Sequence, residues 1–159
     1  RTRLRFMEIE ITNHQESARL DEEALRRYTH WIMERVQDLR RAFHWTELSL
    51  VLTDDAIRSL NREWFGKDSV TDVISFAYPD GGFGEGDTGE VIVNVAQALG
   101  EGALRQGPDL ELALYIAHGC HHLTGAEDDT PERKQAMLRL EKAWVRRAGQ
   151  KGLLGPFFL

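Results

Sequence analysis

The sequence predicts an α+β domain in which one small mixed β-sheet of about four strands packs against several helices. Three observations support this class. Strand-like apolar runs occur only before residue 95, helical spacing of apolar residues dominates after it, and the 159 residues suit a single domain. Because helices are predicted mainly after the strands, we expect one sheet with the helices packed against it.

The first three elements follow from the spacing of apolar residues. Residues 6–12 alternate apolar with acidic or polar side chains, and this period of two predicts a half-buried strand. Apolar residues recur at helical spacing over 21–36, which predicts an amphipathic helix. The apolar run at 48–52 predicts a second strand.

The middle of the chain predicts a short helix. Thr53 is a suitable N-cap, and Asp54 follows it in the first turn, where a carboxylate interacts favourably with the helix dipole. Apolar residues continue at helical spacing to Trp64, and Gly66 is expected to end the helix.

Two further strands and two helices complete the prediction. Strands are predicted over 71–76 and 89–94, with a glycine-rich loop between them. A helix over 108–124 begins with a proline. The last helix is predicted over 130–148, with Thr130 as its N-cap and a proline in its first turn.

The helix over 108–124 carries a potential metal-binding motif, so the predicted fold has its metal site at the end of a central helix. His118 and His122 lie about 40° apart around the helix and one turn apart along it, so their ring nitrogens can converge on one ion. Gly125 provides a break after which the chain can return a third ligand. The spacing favours Asp128 for this role, with Asp129 as the alternative.

The motif resembles that of zinc peptidases but lacks their general base. Gly119 occupies the position of the peptidase glutamate, so a peptidase is a weaker alternative that would need Glu127 instead. Two imidazoles and a carboxylate suit one Zn²⁺ ion per chain, with Fe²⁺ and Ni²⁺ as alternatives. His121 is interpreted as a flanking or solvent-exposed residue, and Cys120 as a small buried one.

Composition limits the classes of function and location. The net charge of −6 argues against a surface dominated by positive potential. Residues 132–151 nevertheless contain seven basic and two acidic residues, a local charge of +5 that indicates a solvated helix face or a phosphate-binding surface. The single cysteine suits a reducing cytoplasm, and the apolar runs are too short to predict a membrane span. Residues 1–6 are expected to be a tag remnant or an upstream extension, and 7–159 a single domain.

Three segments together resemble the YbeY endoribonucleases, a family of ribosomal RNA maturation factors. They are the first strand (Met7 to Asn13), Asn61 and Trp64 with the run from Thr71 to Phe76, and the motif His118, Gly119, His122, Leu123 and Gly125. This resemblance implies a metal-dependent, single-strand-specific endoribonuclease that acts in 16S rRNA 3′ end maturation and ribosome quality control. It implies single-stranded RNA, ribosomal RNA and the ribosome or small-subunit proteins as partners, and we expect a monomer with no membrane association.

The sequence departs from the family pattern at two places. The third ligand is usually histidine in the family and is Asp128 here, and Phe65 stands where the family typically has an arginine.

Bases of single-stranded RNA are expected to stack on Trp64 or Phe76, although core packing is the stronger interpretation for Phe76. The alternative function is that of a non-catalytic, metal-stabilised ribosome-associated factor. The candidate substrate contacts are Arg62, Lys67, Thr71 and Asp72.

Overall fold

The computed structural model describes residues 7–55, 57–66, 72–82 and 86–159. Within them, one four-stranded mixed sheet packs with five α-helices, which confirms the predicted class. The strands are β1 (Glu8–Asn13), β2 (Trp45–Thr53), β3 (Val73–Tyr78) and β4 (Asp87–Asn94). The helices are α1 (Glu22–Leu39), α2 (Ile57–Phe65), α3 (Val95–Ala103), α4 (Pro108–His122) and α5 (Pro131–Gln150). The extension predicted at residues 1–6 lies outside the described residues.

The sheet has the strand order β1-β2-β4-β3, and only β3 runs antiparallel to its neighbour. Alternate residues of β2 and β4 point to one face, where the main core lies against α1 and α4. A smaller apolar cluster formed by Ile57, Ile74 and Ile92 packs α2 onto the other face. The two faces of the sheet therefore carry different helices.

Helix α4 is central, because it contacts α1, α3, α5, β3 and β4. The buried hydroxyl of Tyr28 on α1 donates a hydrogen bond to the carbonyl oxygen of Ala113 at 2.6 Å. Ser75 Oγ on β3 donates to the carbonyl oxygen of Gly119 at 2.7 Å. These bonds attach both halves of α4 to neighbouring elements and so fix the position of its last turn.

Gly119 lets α4 lie close to the sheet. A Cβ atom at this position would lie 2.6 Å from Val91 Cγ1 and 2.7 Å from Val73 Cγ2. Both distances are shorter than the van der Waals contact distance between two carbon atoms, so any larger residue must move the helix or the strands.

We expect Gly119→Ala to lower the free energy of unfolding by about 1–3 kcal/mol through this overpacking. Gly100→Ala in α3 is the matched control, because a Cβ there meets nothing within 4 Å and alanine favours helix. Denaturant unfolding measures both variants. Equal stability of the two variants would show that the close approach at Gly119 is unimportant.

The helix caps largely agree with the predictions. Thr130 Oγ1 accepts a hydrogen bond from the Arg133 amide at 3.1 Å, as expected for the start of α5. Gly66 has a positive φ of 65° at the end of α2, also as expected. The predicted N-cap at Thr53 is wrong, because Thr53 pairs with Asn94 as the last residue of β2 and the helix begins only at Ile57.

Helix α3 was not predicted. It begins directly after β4, where the Asn94 side chain accepts a hydrogen bond from the Gln97 amide at 3.0 Å.

Among the described residues, no helix is both long enough and apolar enough to span a membrane.

Candidate metal centre

Three predicted ligands converge just beyond the last turn of α4. His118 and His122 lie one turn apart, with 3.1 Å between their Nε2 atoms. Gly125 has a positive φ of 87° and reverses the chain, as predicted. Asp128 Oδ2 consequently lies 3.3 Å from His118 Nε2 and 3.5 Å from His122 Nε2.

The spacing of these three atoms fits a metal ion. Tetrahedral zinc with bonds of about 2.1 Å separates its ligand atoms by about 3.4 Å. The three separations of 3.1, 3.3 and 3.5 Å lie close to this value. The group can therefore hold one ion as three ligands, which leaves a fourth coordination position open.

Neighbouring carboxylates do not join this group. Glu127 and Asp129 both pair with Arg133, each with an oxygen 2.9 Å from Arg133 Nη1. Glu127 and Asp129 thus face Arg133, whereas Asp128 faces the histidines. The geometry favours Asp128 over Asp129 as the third ligand.

We expect Asp128→Ala to weaken zinc binding by more than about 100-fold, because loss of a ligand exceeds the roughly 10- to 100-fold effect of losing its supporting residues. Asp129→Ala is the matched control and should change zinc affinity little, since its carboxylate pairs with Arg133. Competition with a chromophoric chelator measures both. A larger loss in the Asp129 variant would reverse the assignment.

Hydrogen bonds at the Nδ1 atoms orient both imidazoles. His122 Nδ1 lies 2.9 Å from the carbonyl oxygen of Ala126. Because a carbonyl oxygen only accepts, Nδ1 of His122 carries the hydrogen and Nε2 keeps its lone pair. His118 Nδ1 contacts the carboxylate of Glu141 at 3.0 Å, which favours the same tautomer. Both rings therefore present Nε2 to the ion position.

Glu141 belongs to the candidate site, although the sequence analysis did not single it out. Its side chain lies on α5, is only 1% exposed and contacts two imidazoles of α4. The second is His121, whose Nδ1 lies 2.7 Å from Glu141 Oε2. Of the two interpretations of His121, solvent exposure is wrong, because its ring is buried between Glu141 and Trp144.

Charge and burial shift the pKa values of this network. Burial alone would raise the pKa of Glu141, but its hydrogen bonds with His118 and His121 outweigh burial and lower it. Burial would lower the pKa of His118, but the hydrogen bond and charge of Glu141 raise it overall. Glu141 is therefore a carboxylate that makes His118 more basic and a stronger donor to a metal.

Cys120 is fully buried as predicted, and burial raises the pKa of its thiol.

Of the four predicted substrate contacts, the structure describes Arg62 and Asp72. Asp72 is half-buried and lines a groove together with His118. Arg62 is exposed on α2, and Phe65 is exposed beside it. Lys67 and Thr71 lie outside the described residues.

The aromatic residues predicted to stack on bases lie away from α4. Phe76 packs against the apolar cluster under α2, whereas its neighbour Ser75 points to α4. The rings of Trp64 and Phe65 contact Phe76, with centroids 5.5 and 6.2 Å away. Phe76 is therefore a packing residue on the face of the sheet opposite the metal centre, which agrees with the stronger interpretation made from sequence.

The structure disfavours the peptidase alternative. The space around Gly119 is filled by β3 and β4, so the motif position of the peptidase base faces the sheet. Glu127, the proposed substitute, is largely exposed and pairs with Arg133. Neither position supplies a general base to the metal centre.

Comparisons with known proteins point to one family. The family model described as Endoribonuclease YbeY matches residues 10–149. Three relatives carry that same name. The protein from Myxococcus xanthus is 40% identical over 114 residues, covering 68% of this chain and 37% of the relative. The protein from Anaeromyxobacter sp. strain Fw109-5 is 36% identical over 108 residues, covering 67% and 56%. The protein from Bacillus cytotoxicus is 33% identical over 140 residues, covering 80% and 83%. The chain thus spans little more than a third of the Myxococcus protein and about half of the Anaeromyxobacter protein.

Proposed function

The chain belongs to the YbeY endoribonuclease family, and on this basis we propose that it is a metal-dependent endoribonuclease that cleaves single-stranded RNA. The convergence of His118, His122 and Asp128 carries the proposal, because three protein ligands with an open position are typical of catalytic metal sites. The names of its relatives supply the substrate class.

Each residue at this centre has its own proposed role. When bound, Zn²⁺ would lower the pKa of a coordinated water and stabilise negative charge on the phosphate. His118 and His122 present Nε2, while Glu141 and the carbonyl of Ala126 hold the two rings in place. Asp128 contributes a negative charge that favours a divalent cation. Asp72 borders the same groove, where we propose that it contacts the substrate.

The finer assignments extend the proposal. We propose one zinc ion per chain, since two imidazoles and a carboxylate suit it, with Fe²⁺ and Ni²⁺ as alternatives. We propose a role in 16S rRNA 3′ end maturation and ribosome quality control in the cytoplasm, with the ribosome or small-subunit proteins as partners. A monomeric state and a single domain over 7–159 complete the proposal, and the latter is supported by a core cluster that includes both Met7 and Phe157.

Cleavage of matched RNAs tests the function. Purified protein should cut a single-stranded RNA and leave the same sequence intact in a duplex, and a chelator should stop the reaction. A preparation that binds metal, loses its fold on metal removal and cuts no RNA would favour the non-catalytic ribosome-associated factor. Digestion of casein but not RNA would favour a peptidase.

A further inference from the structure

A groove between α4 and α5 opens beside the metal centre. Its volume is about 640 Å³, within the range of about 300–1,000 Å³ typical of small-molecule sites. His118 and Glu141 lie in its wall, so the groove is continuous with the metal centre. A molecule bound in it would therefore lie next to the reacting phosphate.

One part of the groove is apolar. Leu110, Leu114 and Tyr115 line it from α4, and Leu138 lines it from α5. Leu138 is 38% exposed, although leucine usually lies in the core. The groove therefore offers a flat ring both depth and an apolar wall.

Two lysines border this apolar wall. Lys134 and Lys142 lie four residues before and after Leu138 on α5, so all three share one side of the helix. Both lysines are exposed and make no ion pair within the part of the chain that the structure describes.

The other charged groups of the groove, Asp72 among them, already have partners. Arg105 pairs with the buried carboxylate of Glu111 at 2.6 Å and with Glu101 at 3.0 Å. Glu141 is held by His118 and His121. The two lysines therefore supply the uncompensated positive charge beside an apolar surface, which suits a phosphate joined to a base.

We propose that this groove binds one unpaired nucleotide of the RNA substrate, next to the nucleotide whose phosphate reaches the metal centre. Its base lies against Leu110, Leu114 and Leu138, and its phosphate lies between Lys134 and Lys142. The inference rests on the proposed function and extends it, because a base held in a duplex cannot enter the groove. It also places base recognition on the face of the sheet that carries His118, away from Phe76.

Binding of a single-stranded RNA tests the site apart from catalysis. The probe is a fluorescent single-stranded 2′-O-methyl oligonucleotide, zinc-loaded protein is titrated into it at fixed salt, and a denaturing gel run after the titration checks that the probe is intact. We expect the double variant Lys134→Glu/Lys142→Glu to bind at least about 10-fold more weakly. The matched control is Arg139→Glu/Arg146→Glu, which makes the same charge change on α5 at exposed residues that do not line the groove.

Equal weakening by the two double variants, or unchanged binding by the lysine variant, would overturn the proposal. A second variant tests the base contact. Leu138→Ser should reduce the preference for an intact oligonucleotide over one with an abasic position by about 3- to 10-fold, the order expected for one apolar side chain. An unchanged preference would contradict the base site. Because binding is measured without cleavage, a protein that binds in the groove but cuts nothing would contradict only the proposed function.

Discussion

Replacing His118 or His122 by alanine is expected to abolish zinc binding and RNA cleavage together. Each variant leaves only two of the three ligand atoms that now lie 3.1–3.5 Å apart. Zinc affinity should fall by more than about 100-fold, beyond the effect of losing a supporting residue. Bound zinc and the rate of cleavage of a single-stranded RNA are measured on the same preparations.

The two histidine variants should differ in stability. His118→Ala also removes a partner from the buried carboxylate of Glu141, which should lower the free energy of unfolding by about 1–3 kcal/mol. His122 Nδ1 contacts only a backbone carbonyl, so His122→Ala should cost less. His14→Ala, at an exposed histidine outside the site, is the control and should retain zinc and cleavage. Full cleavage by zinc-free His122→Ala protein would rule out the metal-dependent mechanism.

The second large effect is expected from Glu141→Gln. The amide keeps the size of the side chain but removes the negative charge that two imidazoles share. Zinc affinity should fall by about 10- to 100-fold, as is usual when a residue supporting a metal-bound histidine is replaced. Competition with a chelator measures the affinity, and the ¹⁵N shifts of His118 in the metal-free protein report its protonation.

The nitrogen shifts separate positioning from a general loss of structure. Without the carboxylate, the pKa of His118 should fall, because Glu141 contributes more than Asp72 or Asp128 to raising it. Glu132→Gln is the matched control, with the same substitution at an exposed position of α5. An unchanged pKa of His118 together with full zinc affinity would contradict a positioning role for Glu141.

Local signals made much of the fold predictable. Thr130 caps α5, Gly125 reverses the chain, and both roles depend on residues within a few positions. The ligand set was equally accessible, because His118 and His122 are related by helical periodicity and Asp128 follows the turn at a set distance. Sequence spacing is informative wherever the interacting residues are neighbours along the chain.

Tertiary contacts explain what the sequence did not reveal. Glu141 lies 20 residues beyond His121, and only the packing of α5 on α4 brings the two together. Helix α3 was missed because Asn94 ends β4 and caps α3 at once, and because Gly100 and Gly102 lower the helix propensity of that segment. Thr53 was misassigned because its pairing with Asn94 keeps it in the sheet.

The structure also strengthens a choice among functions that the sequence already favoured. The histidine spacing alone was compatible with a peptidase, but the packing around Gly119 and the pairing of Glu127 with Arg133 leave that function without a base. The groove beside His118 provides an apolar wall and two lysines, which suit a nucleotide. These features favour the proposed RNA substrate over a peptide.

Returning zinc to metal-stripped protein tests the central claim most directly. Cleavage of a single-stranded RNA should be absent after stripping and should rise in proportion to added Zn²⁺, with a break at one ion per chain. The Asp128→Ala variant should show no such break over the same range. Undiminished cleavage by the stripped protein, or a rise that is identical in the Asp128 variant, would contradict an endoribonuclease whose metal is held by His118, His122 and Asp128.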